Sequence, residues 1–423
     1  MERHTHMKTL KTLMSAAAVL AVAATGTARA AGTALDLQSA RGVAMAGSVV
    51  GFIDDASAIY YNPAGIAQGQ GIDFMIGITG IVPLFQVTDA AGVQTNGNHT
   101  LIPPPHIYAT YGISDAVTVG IGLFTPYGLS IGWPDGYPGR YIATQVSLKL
   151  YDINPTVAFH FGPVRFAGGL QVVRATVELQ RNINLGTSNP AVYTPPEPAV
   201  DLGASAWGFG GNAGIQVDII ENVLQLGASY RSRVAYNFNN GLAHFTNIPP
   251  QFQGQLYDQA GSTNLTTPDS VAVGIAWKPM SCLTLDADVT YFSWQVFQSI
   301  NLTFPATPAL SSVEPKLWHH TWNYRVGAEW IIDEHWALRA GFMVDPTPGP
   351  ASTLQPDLPD STRLNFAGGF GWRAGAFHVD LGAQWIYFLP VTSGEVSTSP
   401  PLYNPASYNS NALVGTLSFE VKI

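Results

Sequence analysis

The chain has 423 residues, 46% of them hydrophobic and only 11% charged, with 43 glycines, 30 prolines and a formal net charge of −9. An ordinary soluble domain carries about 25% charged residues, whereas the mean hydropathy of +0.13 is too low for a bundle of membrane helices. These values exclude a typical soluble globule and a disordered acidic chain, and the absence of any Lys/Arg run excludes a nucleic-acid-binding surface. Helix breakers are spread over the whole length, which leaves an all-β protein with many turns. Cys282 is the only cysteine, so the fold needs another source of cohesion, and a closed hydrogen-bonded sheet supplies one.

Residues 1–30 have the form of a secretory signal peptide. Lys8 and Lys11 give a basic start, Leu13 to Ala24 is apolar, and Ala28-Arg29-Ala30 offers a cleavage site. Residues 31–70 show no period-2 alternation and are rich in small side chains. Asp54 or Asp55 is expected to cap a short helix, and Pro63 to end it by holding Asn62 in extended geometry. Such a segment ahead of a barrel suggests a plug in the lumen, with a loose periplasmic extension as the alternative.

From residue 71 onward the pattern is that of strands. Leu283, Leu285, Ala287, Val289 and Tyr291 oppose Asp286 and Asp288; Trp322, Tyr324, Val326 and Trp330 oppose Arg325 and Glu329. Leu364, Phe366, Phe370 and Trp372 form another apolar row, as do Phe377 to Tyr387 and Leu413 to Ile423. Side chains alternate across a strand, so each segment has one greasy face and one polar face. Six tight breaks, at 114–115, 162–163, 221–222, 279–281, 333–334 and 374–375, alternate with seven long connections, near 82–100, 125–147, 183–205, 239–268, 297–315, 345–360 and 390–410. That rhythm predicts a transmembrane antiparallel β-barrel of about fourteen strands over 71–423, with short periplasmic turns and long outer loops. A β-sandwich also alternates faces, but it would bury the repeated Asp, Glu and Arg of the polar faces in its core.

The chain resembles the outer-membrane long-chain fatty acid and hydrocarbon transporter family, the FadL/TodX type. The resemblance rests on Gly42 to Gly47, Asp54-Asp55-Ala56 and Asn62-Pro63-Ala64, then on Pro126-Tyr127-Gly128-Leu129, Trp133, Gly139-Arg140-Tyr141, and Leu358-Pro359-Asp360 followed by Arg363. It implies a barrel plugged by an N-terminal hatch at 31–70, in which Gly42, Gly47, Asp54, Asp55, Asn62, Pro63 and Ala64 mark the hatch. It also implies an inward kink of the third strand with sideways release of cargo into the membrane. Gly120 and Gly122, within the third strand at 117–124, are the expected kink positions. The expected cargo is a hydrophobic compound, long-chain fatty acids first, with alkanes and aromatic hydrocarbons as alternatives. The expected location is the outer membrane of a Gram-negative bacterium, among its lipids, as a monomer.

Apolar cargo needs an apolar path. Phe124, Tyr127, Trp133, Tyr137, Phe245, Phe252 and Tyr257 are candidates for an outer capture groove, or for anchoring at the membrane surface. Arg325, Arg339 and Arg363 are candidates for a carboxylate head group, the alternative being that they pair with lumen acids such as Asp286, Asp288, Glu329 and Asp380. No nucleotide loop is visible, so transport is expected to be passive, without cofactor or metal. No catalytic residue is expected: Gly128-Leu129-Ser130-Ile131-Gly132 lacks the strand-then-helix setting of a nucleophile elbow, Gly208 to Ala213 lies inside a strand, and His319 and His320 point to opposite faces. An outer-membrane lipid hydrolase and a passive surface adhesin are the readings of another class.

Overall fold

The computed structural model describes residues 32–186, 192–394 and 405–423; the signal peptide expected at 1–30 lies outside the described residues. Fourteen antiparallel strands form the wall: β1 (Gly71–Leu84), β2 (Pro105–Ser114), β3 (Val117–Phe124, then Gly128–Gly132), β4 (Gln145–Phe161), β5 (Val164–Asn182), β6 (Ala199–Ile220), β7 (Leu224–Arg231, then Val234–Thr246), β8 (Gln259–Thr267, then Ser270–Met280), β9 (Leu283–Phe292), β10 (Thr321–Ile331), β11 (Trp336–Asp345), β12 (Arg363–Ala374), β13 (Phe377–Phe388) and β14 (Asn411–Lys422). The sheet closes on itself through β1 and β14, from Asp73 opposite Lys422 to Leu84 opposite Asn411. Closure leaves no edge to be satisfied by lipid, which cannot hydrogen-bond. No helix among the described residues is long and apolar enough to cross a membrane.

The faces fall as the alternation requires. On β10, Trp322, Tyr324, Val326 and Trp330 are exposed on the outer surface, while Asn323, Arg325 and Glu329 are buried inside. Trp322 and Trp330 stand near the two ends of the strand, where a barrel meets the head groups. All six tight turns are present.

The outer connections differ from expectation most in three places, and the one expected at 183–205 is shorter because β6 begins at Ala199. The connection expected at 239–268 is shorter, because β7 runs to Thr246 and β8 begins at Gln259. The one expected at 125–147 contains the second half of β3, paired to β4 from Gly128–Lys149 to Gly132–Gln145. Asn237, Asn239 and Asn240 are exposed on β7. A strand segment that has risen above the lipid no longer needs an apolar outer face, and its hydropathy signal fades.

Inside the wall, residues 37–67 are buried apart from the half-buried Asp54 and Tyr60. They form α1 (Ala40–Ala44), α2 (Ala58–Tyr61) and a 3-10 turn, Pro63–Ile66. Ser39 caps α1 by accepting from the Gly42 N–H at 3.1 Å. Asn62 is extended (φ −154°) and ends α2, as Pro63 requires. Ser57 occupies the N-cap position without a side-chain bond, and Asp55, two residues earlier, accepts from the Ser57 N–H. α1 sits against glycines of the wall. A Cβ on Gly341 would meet the Met45 backbone, one on Gly369 would lie 2.7 Å from Ala44 Cβ, and one on Gly382 would lie 2.5 Å from the Ala40 carbonyl oxygen. Only a wall without side chains admits the helix this closely.

Candidate functional site

The wall is interrupted at β3. Its first half pairs with β2 on one side and β4 on the other, the β2 ladder ending at Ile107–Leu123 and the β4 ladder at Asp152–Phe124. Pairing with β4 resumes at Gly128–Lys149. Three residues, Thr125 to Tyr127, thus stand opposite two, which is a β-bulge, and it bends the strand. Pro103 and Pro104 precede β2, and Pro105 is its first residue. Prolines have no N–H to donate, so β2 cannot extend to cover the rest of β3.

The free edge is met from within. Leu35 N–H donates to the Pro126 carbonyl at 2.9 Å, and Gly128 N–H donates to the Thr33 carbonyl at 3.0 Å. The Gln38 side chain donates to the Thr125 carbonyl at 2.6 Å and accepts from the Thr125 N–H at 3.2 Å. Thr33 to Leu35, with the Gln38 amide, act as a short substitute strand.

A cavity of about 350 Å³ lies beside this break. Leu35, Ile81, Phe85, Ile102, Ile386 and Phe388 make its apolar lining, and Asp360 and Arg363 are also on it. Leu148 faces inward on β4, whereas Lys149 and Tyr151 are exposed on the strand's outer face, yet all three line the cavity. It therefore borders residues from both alternating faces of β4. Burial pushes the Asp360 carboxyl up to about 6, although Arg363 and a hydrogen bond from Thr347 pull the other way.

A second cavity of about 110 Å³ lies toward the outer mouth, lined chiefly by Leu, Ile, Val, Phe and Trp. The connection between β9 and β10 folds over it. Trp294 and Phe297 each stack edge-on against Trp318, at 4.9 and 4.7 Å between centroids. Thr33, Leu129, Leu148 and Leu358 border both cavities.

Ion pairs fasten the inner segment to the wall. Arg41 grips Glu329 with two bonds of 2.9 Å and also meets Asp54 and Asp55. Glu329 in turn accepts from Arg339 at 2.7 Å, and Arg339 reaches Asp380. Asp288 accepts from the backbone N–H groups of Val49 and Val50 at 2.8 and 3.0 Å, and Asp286 from the Ser48 hydroxyl at 3.0 Å. Buried charges held this way avoid most of the desolvation cost of standing alone.

The structure gathers Gly42, Gly47, Asp54, Asp55, Asn62, Pro63 and Ala64 into one inner segment. Gly47 has φ +78°, a backbone region that side chains rarely adopt, and packs against Arg325. Asn62 donates to the carbonyls of Val50 and Ile215, both at 3.0 Å. The three arginines follow the alternative noted for them: Arg325 pairs with Asp36 at 2.6 Å, Arg339 with Glu329 and Asp380, and Arg363 with Asp345 at 2.7 Å. Gly120 and Gly122 lie in the unbroken half of β3, and the interruption falls at Thr125–Tyr127 instead. Gly120 faces Ile59, and Gly122 faces Tyr108 and Phe124; their lack of a side chain makes room rather than a bend.

Of the aromatic candidates, Phe124 packs with Tyr60 and Tyr108 inside the barrel, and Tyr127 stands edge-on to Trp294 at 6.0 Å. Trp133 stacks on Tyr137 at 5.3 Å and donates its Nε1 proton to the Pro356 carbonyl. Both are buried in the outer connection. Phe245, Phe252 and Tyr257 line neither cavity. Gln38, Trp294 and Asp357 were not singled out by sequence. Their significance comes from contacts 87, 24 and 41 residues away, with Thr125, Trp318 and Lys316. The proline run at the start of β2 was the one local signal available.

Comparison with known proteins agrees with this architecture. Residues 21–422 match the family model described as outer membrane protein transport protein (OMPP1/FadL/TodX). The chain is 25% identical to the long-chain fatty acid transport protein of Escherichia coli O6:H1 over 92% of this chain and 94% of that one. Among solved structures it superposes on a Pseudomonas aeruginosa FadL homologue with a TM-score of 0.77, 18% identity and coverage of 92% and 99%. The Ralstonia pickettii toluene transporter TbuX gives a TM-score of 0.69, 17% identity and coverage of 91% and 98%. With its lipid-facing barrel and the match along almost its whole length, the chain belongs to the OMPP1/FadL/TodX family of outer-membrane transport proteins for hydrophobic compounds.

Proposed function

We propose that cargo enters at the outer mouth, rests in the smaller apolar cavity, crosses into the larger one and leaves through the break in β3 into the membrane. The observation that carries this reading is a cavity lined by both inner and outer residues of β4 at a bulge that β2 cannot cover. Apolar surface lines the route, so an apolar molecule is never returned to water, where it loses roughly 25 cal/mol for each Å² exposed. Residues 33–38 occupy the exit edge and act as its gate. Movement is passive, down the cargo's own gradient.

The cargo that best fits the route is a neutral hydrophobic compound. Among the described residues lining the smaller cavity there is no Lys or Arg. A fatty acid remains the second reading on one specific observation: Arg363 lines the larger cavity, and its buried Nε has no partner.

The bulge supplies the test. Deleting Pro126 removes one residue from the three-against-two stretch and brings the two halves of β3 into a common register with β4. Uptake of a hydrophobic probe by vesicles holding the variant should fall to the level of empty vesicles. Wild-type uptake by a correctly folded variant would refute exit at this point.

A further inference from the structure

The smaller cavity is chiefly apolar, with Thr33, Thr263, Asn264, Glu314, Asp357 and the indole of Trp294 as its polar lining. Trp294 is 2% exposed and its Nε1–H, though buried, has no hydrogen-bond partner. Asp357 is 4% exposed: Lys316 holds its Oδ2 at 2.6 Å, and its Oδ1 has no partner. Glu314, which lies 3.7 Å from Arg181, also lines it. Leaving a buried donor or acceptor unpaired is costly, and native proteins rarely do so without a reason. Trp294 and Asp357, each carrying an unpaired polar atom, line the same small and chiefly apolar space, and a hydroxyl group, both donor and acceptor, is the group that suits such a pair.

Size points the same way. An apolar cavity of about 150 Å³ is known to hold one benzene ring, and this one has about 110 Å³. It is smaller than that, so it takes a short alkyl stretch or part of a ring, the rest of the molecule continuing past Leu129 and Leu148 into the larger cavity. Charge completes the argument. Lys316 is already paired with Asp357, so an entering carboxylate would meet two acids with no cation free to receive it. Desolvating that anion without a partner is strongly unfavourable.

We propose that this cavity is a selective subsite for uncharged cargo bearing a hydroxyl on an apolar body, such as an alkylphenol or a fatty alcohol, which donates to Asp357 Oδ1 and accepts from Trp294 Nε1. This rests on the transport reading above and narrows its cargo class.

The test uses the purified full-length barrel in one neutral detergent, with three probes that share a body: 4-butylphenol, butylbenzene and 4-butylbenzoate. Calorimetry at pH 7.5 gives their affinities. Because the ratio of two probes is compared between proteins in the same micelles, partitioning into detergent cancels. The wild-type protein should bind 4-butylphenol about tenfold more tightly than butylbenzene, the range for one hydrogen bond to a charged group, and 4-butylbenzoate more weakly than either.

The double variant Lys316→Met/Asp357→Leu should bring the phenol-to-hydrocarbon ratio close to one. Trp294→Phe, which leaves the ion pair in place, should lower the ratio severalfold and serves where the double variant does not fold. Benzoate binding as tight as phenol binding, or a ratio unchanged in Trp294→Phe, overturns the proposal. Failure of butylbenzene itself to bind the wild-type protein instead overturns the transport route on which the proposal depends.

Discussion

Gln38 and Thr125 face each other as two backbone groups of neighbouring strands would, but one partner is a side chain. The Gln38 amide gives a proton to the Thr125 carbonyl at 2.6 Å and takes one from the Thr125 N–H at 3.2 Å. A true strand at this position would close the barrel permanently. A side-chain amide can satisfy the same two groups and still rotate away.

Gln38→Ala should therefore loosen the exit without loosening the wall. Each hydrogen bond contributes about 1 kcal/mol, so the Thr125 amide should exchange with solvent at least about fivefold faster, while amides of the paired half of β3 are unchanged. Vesicle uptake of a hydrophobic probe should rise. Hydrogen exchange read at Thr125 checks the first outcome and stopped-flow uptake the second.

The Arg41–Glu329–Arg339 chain should control how firmly the inner segment is seated. Glu329→Gln leaves two buried guanidinium groups sharing a neutral partner, a change of the kind that costs about 3 kcal/mol or more. Trypsin should then cut after Arg41, which is 7% exposed in the intact protein. Resistance equal to that of the wild type would show that the segment is held mainly by its apolar contacts.

The glycines behind α1 make a steric prediction. Gly341→Ala drives a methyl group into the Met45 backbone, and overpacking of this kind costs about 1–3 kcal/mol. Gly415→Ala is the control, since nothing lies within 4 Å of the position a Cβ would take there. Urea unfolding in lipid vesicles should separate the two variants clearly.

Asp360 should make the larger cavity respond to pH. Its carboxyl is raised to about 6 in the folded protein, with burial as the leading cause. A raised acid binds protons more tightly folded than unfolded, so its ionisation opposes the folded arrangement. The contribution is absent below the unfolded value near 4 and grows as pH climbs through 6. The connection at 346–362 should thus become less protected from hydrogen exchange between pH 4 and 7, after correction for intrinsic rates. Asp360→Asn should flatten that profile.

The fold was largely legible in the sequence because a lipid-facing strand must alternate. Trp322 to Trp330 announce their outer face through residues two apart. The upper part of β7, from Asn239 to Thr246, was not legible, because Asn239-Asn240-Gly241 interrupts the alternation of Val234, Tyr236 and Phe238 where the register with β8 also shifts. At the candidate site the inner segment could be located from its composition, but its attachments could not. Arg41 finds Glu329 across 288 residues, and nothing local to either marks the pair. The glycines of β3 point to a bend at 120–122, whereas it is set by a one-residue slip against β4 and by the prolines at the start of β2.

The bare patch of wall beneath α1 also limits how parts can be exchanged among relatives. Gly341, Gly369 and Gly382 belong to three different strands, yet together they form a mould for one short helix. A plug borrowed from a cousin with a bulkier first turn would have nowhere to sit, and a borrowed barrel bearing alanine or valine at these places would reject the plug it received. Chimaeras should succeed only when the glycine mould and the helix it fits are transplanted as a unit.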